Sequence, residues 1–272
     1  MQKVTIISSQ PLGLSASLRE LLDARELLWT MILRDLKVRY KQTVMGVAWA
    51  VLQPLTMMAI FSVVFGQLAK IPSNGLPYPV FVFTGLLAWN FFSSSVSSAS
   101  TSLIGAGSLI SKVYFPRLII PLSSIGVVVL DFLVGLVLLS LMMLYYGISL
   151  SMNALIIPVC LFGLLALSLG LGAWLAALTV SYRDFRYVVP FMLQVWMYVS
   201  PVIYPSNFVP DKWRWVLYLN PINGWINGIR SGFLGQPLDY LAISISCLLS
   251  RLILIAGVSY FDKVQRRFAD VI

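Results

Sequence analysis

Two ionisable side chains, Asp131 and Arg251, lie within long apolar segments of this sequence. A charge near the centre of a membrane helix costs about 2.5–3.5 kcal/mol on insertion scales, so such residues normally have a polar partner. At a rise of about 1.5 Å per residue, their predicted depths differ by roughly 3 Å. A direct pair between them is therefore possible. The alternative is that each side chain extends toward the membrane surface or meets a different polar partner.

The other residue types that support catalysis are scarce. The sequence has no histidine, and its two cysteines, Cys160 and Cys247, lie in separate apolar runs, so neither a CxxC pair nor a zinc cluster can form. The segment from Gly105 to Lys112 lacks the GxxxxGK spacing of a phosphate-binding loop. We therefore expect no catalytic residue, metal, cofactor or ATPase site in this chain. One Asp and one Arg are few for a proton relay, so we expect energy to come from an ATPase partner.

The composition indicates a protein that lies in a bilayer. Of 272 residues, 59% are hydrophobic and 11% are charged, whereas soluble domains have about 45–50% apolar and about 25% charged residues. We expect an all-α integral membrane fold that forms one domain over residues 1–272. The net charge of +9 does not imply nucleic acid, because cytoplasmic loops collect Lys and Arg, which attract anionic lipid.

Six apolar segments are candidates for the roughly twenty-residue helices that cross a membrane. They are Val47–Leu68, Val80–Ser100, Ile119–Tyr146, Leu155–Val180, Val188–Tyr204 and Leu241–Phe261. The second ends in the serine run Ser93–Ser98, and the fifth is short, with Pro190 and Pro201 near its ends. Six spans over residues 47–261 would put both termini on the same side of the membrane.

The distribution of positive charge predicts which side that is. In this arrangement, 14 of the 19 Lys and Arg residues flank the side that holds both termini and the loops after spans two and four. Because positive loops face the cytoplasm, both termini are predicted to be cytoplasmic.

Two segments outside the spans are also predicted to be helical. Over residues 18–41, apolar residues recur at three- and four-residue steps beside a charged face, which predicts a helix in the membrane interface with Trp29 at headgroup depth. The alternative is a helix packed on a soluble partner. Residues 205–240 are rich in aromatic anchors, and Asn220-Pro221 is typical of a helix start. We expect two short re-entrant helices there, in the outer interface.

An ordered set of short motifs runs along nearly the whole chain. It comprises Arg39-Tyr40-Lys41, Gly46, Trp49, Gln53-Pro54-Leu55, Gly85-Leu86, Trp89-Asn90-Phe91-Phe92, Lys112-Val113, Phe115-Pro116-Arg117, Pro121, Tyr182-Arg183-Asp184, Ser200-Pro201-Val202-Ile203-Tyr204-Pro205 and Asn220-Pro221. In these motifs the chain resembles the ABC-2 type permeases that export O-antigen, capsule and teichoic-acid polymers, and it is most similar to the O-antigen export permeases.

The resemblance implies an assembly in the bacterial inner membrane. Two permease copies, a homodimer, would pair with two copies of a separate ATPase subunit, which binds the ATP. The substrate would be an undecaprenyl-diphosphate-linked glycan. The loop at residues 103–117 would carry a short coupling helix that contacts the ATPase, and a solvated turn is the alternative. The coupling residues would be Leu103, Ile104, Ser108, Leu109, Ile110, Lys112, Phe115 and Arg117.

The resemblance also implies that spans one and five line the channel. On span one, five large side chains, three of them aromatic, recur every four residues, which places them along one slowly drifting stripe; they are Trp49, Gln53, Met57, Phe61 and Phe65. On span five, Gln194 and Tyr198 share a face, with Tyr204 near the outer mouth. Aromatic faces would hold sugar rings weakly and let them move on. The alternative is that these stripes pack against other helices or lipid.

Two other functions stay open on the sequence. An ABC-2 exporter of a small lipid or drug would have a similar architecture but an aliphatic channel. A membrane-embedded transferase that builds the glycan should have acidic catalytic residues at a membrane surface, whereas Asp184, Asp211 and Asp239 are scattered along the chain.

Overall fold

The computed structural model describes residues 20–41, 48–110, 115–265 and 268, and over these residues the regular structure is helical, with no strand. The helices are α1 (Arg25–Lys41), α2 (Ala48–Phe61), α3 (Tyr78–Gly105), α4 (Gly107–Ile110), α5 (Ile119–Tyr145), α6 (Ile157–Ser181), α7 (Phe185–Val199), α8 (Asp211–Leu219), α9 (Asn223–Leu234) and α10 (Tyr240–Val264). A π-helical segment, Ser62–Leu68, continues α2, and short 3-10 turns at Met152–Ile156 and Ser206–Phe208 precede α6 and α8. The predicted all-α fold is confirmed.

Five helical segments in the described part of the chain are long and apolar enough to cross a membrane. They are Ala48–Leu68, Tyr78–Gly105, Ile119–Tyr145, Met152–Ser181 and Tyr240–Val264. These segments correspond to the first, second, third, fourth and sixth predicted spans. The serine run does not end the second helix, which continues to Gly105. Within the run, the hydroxyl of Ser93 donates to the carbonyl of Asn90 in the preceding turn at 3.4 Å.

The fifth predicted span, Val188–Tyr204, needs correction. The helix there is α7, with 15 residues, which gives a length of about 22 Å against a hydrocarbon core of about 30 Å. It ends at Val199 because Pro201 restricts the residue before it, and Ser200 is extended with φ −91° and ψ 148°. By length, α7 therefore does not qualify as a spanning helix.

Helix α3 forms the centre of the bundle. It packs against α5, α6 and α9, and most of its apolar side chains are buried, including Phe81, Phe83 and Phe92. Helix α6 makes its most extensive contact with α10. A Cβ atom on Gly257 of α10 would overlap the carbonyl oxygen of Gly170 on α6, so the two backbones approach closely at this crossing.

The segments outside the spans lie against this bundle. Helix α1 falls within the predicted range 18–41 and packs on α5, where Ile32 lies against Gly126. The side chain of Trp29, which was predicted to lie at headgroup depth, is 62% exposed on α1. Helices α8 and α9 fall within the predicted range 205–240, although α9 begins at Asn223, three residues after the predicted cap. The Asn220 side chain accepts a hydrogen bond from the backbone N–H of Ile222 at 3.3 Å.

Candidate substrate path and coupling surface

Asp131 is held by the helix that precedes the first span, not by Arg251. Its Oδ2 lies 2.7 Å from Nη2 of Arg39, and its Oδ1 accepts a hydrogen bond from the Tyr40 hydroxyl. Burial and the bond to Asp131 raise the pKa of Tyr40 to about 12, so the phenol stays a proton donor at neutral pH. Arg251 is exposed on α10. Of the two possibilities that the sequence left open, the structure therefore has the second, in which Asp131 meets a different polar partner.

The Asp131–Arg39 pair forms one wall of a cavity of about 290 Å³ between α1, α2, α3 and α5. Trp49 and Gln53, two of the predicted channel residues on α2, also line it, together with Asn90 of α3. The cavity thus combines an aromatic face with amide and charged groups.

A polar groove continues from this cavity along α3 to α7. The groove has a volume of about 370 Å³, and Arg39 lines both the groove and the cavity beside Asp131. Four hydroxyls of α3 line it, from Ser93, Ser94, Ser97 and Ser98, and Gln194 of α7 faces them. Sequence reasoning treated the serine run only as a weakness of the second span and missed these four residues as part of a site. They could have been recognised from their spacing of three and four residues, which places the hydroxyls on one face of a helix.

The predicted stripe on α2 divides into two parts. Trp49, Gln53 and Met57 are exposed, whereas Phe61 is 7% exposed and packs in the core with the partly buried Phe65. Each four-residue step rotates a side chain by about 40°, so twelve residues carry Phe61 about 120° from Trp49. As a correction, Phe61 and Phe65 form an edge-to-face pair at 5.6 Å within the chain rather than extending the exposed stripe.

On α7, the predicted channel residues lie on the exposed face. Gln194 and Tyr198 are exposed, while the apolar Leu193 and Met197 are buried against the core. The Tyr204 hydroxyl turns back and donates to the carbonyl of Val199 at 3.1 Å. Tyr204 therefore satisfies a free carbonyl at the end of α7.

The predicted coupling helix is interrupted. Helix α3 ends at Gly105, and a separate helical turn, α4, follows at Gly107–Ile110. Leu103 is fully buried and Leu109 is partly buried in the same apolar cluster, but Ile104 is 43% exposed. The backbones of Ser108 and Ile110 belong to α4, the structure does not describe their side chains, and Lys112 lies outside the described residues.

The second half of this loop is anchored to the bundle. Phe115 is 7% exposed and packs in a cluster with Leu118, Phe261 and Phe268. The Arg117 guanidinium donates to the backbone carbonyl of Gln265. The loop after α3 is thus fixed to the end of α10, and Ile104 is the predicted coupling residue with the most clearly exposed side chain among those the structure describes.

Arg230, which topology alone assigns to an outer loop, is 1% exposed in α9. It donates to the carbonyls of Pro201 at 2.7 Å and of Val202, and its guanidinium lies 3.9 Å from the ring centroid of Phe81. Burial lowers its pKa to about 9, so it remains charged at neutral pH. Arg230 therefore satisfies two backbone carbonyls of the non-helical segment that follows α7.

The described part of the chain has five helices long and apolar enough to cross a membrane and a polar groove between α3 and α7, an arrangement that fits a polytopic membrane permease. A model of the ABC-2 type transporter family matches residues 26–234. The chain belongs to the ABC-2 type transporter family.

Its relatives include permeases of polysaccharide transport. The chain is 30% identical over 248 residues to the O-antigen export system permease protein RfbA of Klebsiella pneumoniae, covering 91% of this chain and 95% of the relative. A protein of the same name from Myxococcus xanthus is 29% identical over 257 residues, covering 93% and 98%. The polysialic acid transport protein KpsM of Escherichia coli is 24% identical over 227 residues, covering 78% and 85%.

Proposed function

We propose that this chain is the permease subunit of an ATP-driven exporter that moves a lipid-linked polysaccharide, of the O-antigen type, across a bacterial inner membrane. The observation that carries this proposal is its similarity over nearly full length to permeases named for O-antigen export. The lipid carrier would be undecaprenyl diphosphate, as the family resemblance implies.

The polar groove supports a carbohydrate substrate over a drug or simple lipid. It presents the hydroxyls of α3 opposite Gln194 and joins the cavity lined by Trp49 and Gln53. A serine hydroxyl can both donate and accept, so these side chains can bond to sugar hydroxyls in either direction. Such contacts are individually weak, which suits a polymer that must pass repeat by repeat.

The assembly would be a homodimer with two ATPase subunits. Two copies would face each other across α2 and α7, whose exposed faces include Trp49, Met57 and Tyr198. A sixth crossing, made by α7 together with the residues that follow it up to Tyr204, would put both termini in the cytoplasm, and α4 with Ile104 would contact the ATPase. No phosphate-binding loop occurs in the sequence, so ATP would be hydrolysed by the partner.

A gene replacement in the source bacterium tests this function. Cells without the chain should accumulate lipid-linked glycan at the cytoplasmic face of the inner membrane and lack glycan on the cell surface. A plasmid copy of the gene should restore the surface glycan. The same copy should fail when the partner ATPase carries an inactive phosphate-binding loop. Normal surface glycan in cells that lack the chain would overturn the proposal.

A further inference from the structure

A third cavity lies away from the groove, at the end of the bundle formed by α8 and α9. Its volume is about 230 Å³, below the roughly 300–1,000 Å³ of pockets for drug-sized ligands. Its walls come from α8, α9, the turn before α8, the segment that leads into α10 and Asn74 of the loop before α3. A cavity of this size suits one small ring rather than a chain of rings.

Three buried N–H donors in this cavity's walls lack a hydrogen-bond partner among the described residues. They are Nε of Arg214, Nε of Arg230 and Nε2 of Gln236. The other two guanidinium nitrogens of Arg230 are used on the carbonyls of Pro201 and Val202. A buried polar group without a partner costs about 1–3 kcal/mol. Three of them around one cavity point to a ligand that accepts hydrogen bonds.

The remaining lining favours a ligand that also donates hydrogen bonds. It includes five carboxamides, from Asn74, Asn207, Asn223, Asn227 and Gln236, and each carries both donors and acceptors. The carboxylate of Asp239 lines the cavity as well and accepts from the Tyr218 hydroxyl at 3.3 Å. A carboxylate offers only acceptors at neutral pH, and a phosphate offers mostly acceptors, so either would leave most of these acceptor groups without a donor and would be repelled by the carboxylate of Asp239. A sugar ring, whose hydroxyls both donate and accept, matches the whole set.

We propose that this cavity is a binding site for a single sugar residue. Arg214, Arg230 and Gln236 donate to its hydroxyl oxygens, and Asp239 with the asparagine amides accepts from its hydroxyl protons. That the sugar belongs to the exported glycan rests on the proposed function. The site is separate from the groove of α3 and α7, because it shares no lining residue with it.

Direct binding to the full chain in lipid nanodiscs tests the site. The probes are glucose, galactose, mannose, rhamnose and N-acetylglucosamine, with inorganic phosphate as the anionic comparison, followed by saturation-transfer NMR. The variant is Gln236→Leu, which removes one unpaired donor but keeps the backbone carbonyl that accepts from Asn153. The matched control is Gln67→Leu, the same change at an exposed glutamine outside the cavity.

We expect at least one sugar to bind the wild-type chain and Gln67→Leu, and its affinity to fall at least tenfold in Gln236→Leu. The thermal stability of Gln236→Leu should be unchanged or higher, because a buried unpaired donor has been removed. A lower thermal stability would identify Gln236 as a structural residue and overturn the proposal. So would no sugar binding, equal binding in both variants, or binding of phosphate alone. Loss of this binding with normal glycan export would leave the proposed function standing, whereas sugar binding in a chain that exports no glycan would contradict only the proposed function.

Discussion

The carboxylate of Asp131 on α5 lies 2.7 Å from the guanidinium of Arg39 on α1. This contact joins the helix that precedes the first span to the interior of the bundle, at the wall of the cavity that Trp49 and Gln53 also line. A carboxylate in a membrane helix thus has its counter-ion at the end of an adjacent helix. The pair fixes α1 where the first span begins.

The Asp131–Arg39 contact predicts coupling between the two positions. Asp131→Asn and Arg39→Gln should each lower the thermal stability of the purified chain, and the double variant should lose less than the sum, with a coupling energy of about 0.5–3 kcal/mol. Thermal unfolding in detergent gives this value. Arg251→Gln is the control, because Arg251 is exposed on another helix. Strict additivity for the first two changes would show that the side chains do not interact in the membrane protein.

Gly85 predicts a steric requirement around Arg230. A Cβ atom there would collide with Nη2 of Arg230 and lie 2.6 Å from the Val202 carbonyl oxygen. Gly85→Ala should therefore destabilise the chain by about 1–3 kcal/mol, measured as a lower unfolding temperature. Gly105→Ala, where no atom lies within 4 Å of the added carbon, should be neutral or slightly stabilising because alanine favours helix. Equal behaviour of the two variants would contradict the close packing at Gly85.

The predicted channel residues on α2 and α7 include exposed and buried side chains, and alanine should affect these two groups differently. Trp49→Ala and Tyr198→Ala change exposed side chains, so they should reduce glycan export while chain abundance and basal ATP hydrolysis stay normal. Phe61→Ala empties a core position and should cost about 3–5 kcal/mol of stability. Surface glycan and membrane-fraction immunoblots separate the two effects. If Trp49→Ala and Tyr198→Ala both export glycan normally, the proposal that these aromatic side chains contact the substrate is wrong.

The exposure of Ile104 predicts where the ATPase contact lies. Ile104→Asp should leave membrane insertion intact but reduce co-purification of the ATPase subunit, because it places a charge on an exposed apolar contact. Leu103→Asp, one residue earlier and fully buried, should instead lower chain abundance. Undiminished co-purification and export with Ile104→Asp would place the contact elsewhere.

Much of the fold follows from apolar run length, and much of the site does not. The length of the runs predicts the spans at α2, α3, α5, α6 and α10, because a bilayer requires about twenty apolar residues in each. The partner of Asp131 was not predictable from depth alone, since helix neighbours depend on three-dimensional packing. The burial of Phe61 follows from a 40° rotation that accumulates over three steps, and which face meets α3 is decided by tertiary contact. The role of Arg230 likewise could not be predicted, because it depends on where α7 ends and on which carbonyls after that point lack a helical partner.

Transport in a reconstituted system tests the central claim most directly. Proteoliposomes would contain the chain, its ATPase subunit and radiolabelled undecaprenyl-diphosphate-linked glycan, with a glycosidase enclosed in the lumen. The ATPase would face the outside, and cleavage of labelled glycan would report its arrival in the lumen. We predict cleavage that depends on ATP, on the permease and on an intact phosphate-binding loop in the ATPase. Cleavage no greater with ATP than without it, in vesicles where both subunits are folded and associated, would contradict the assignment.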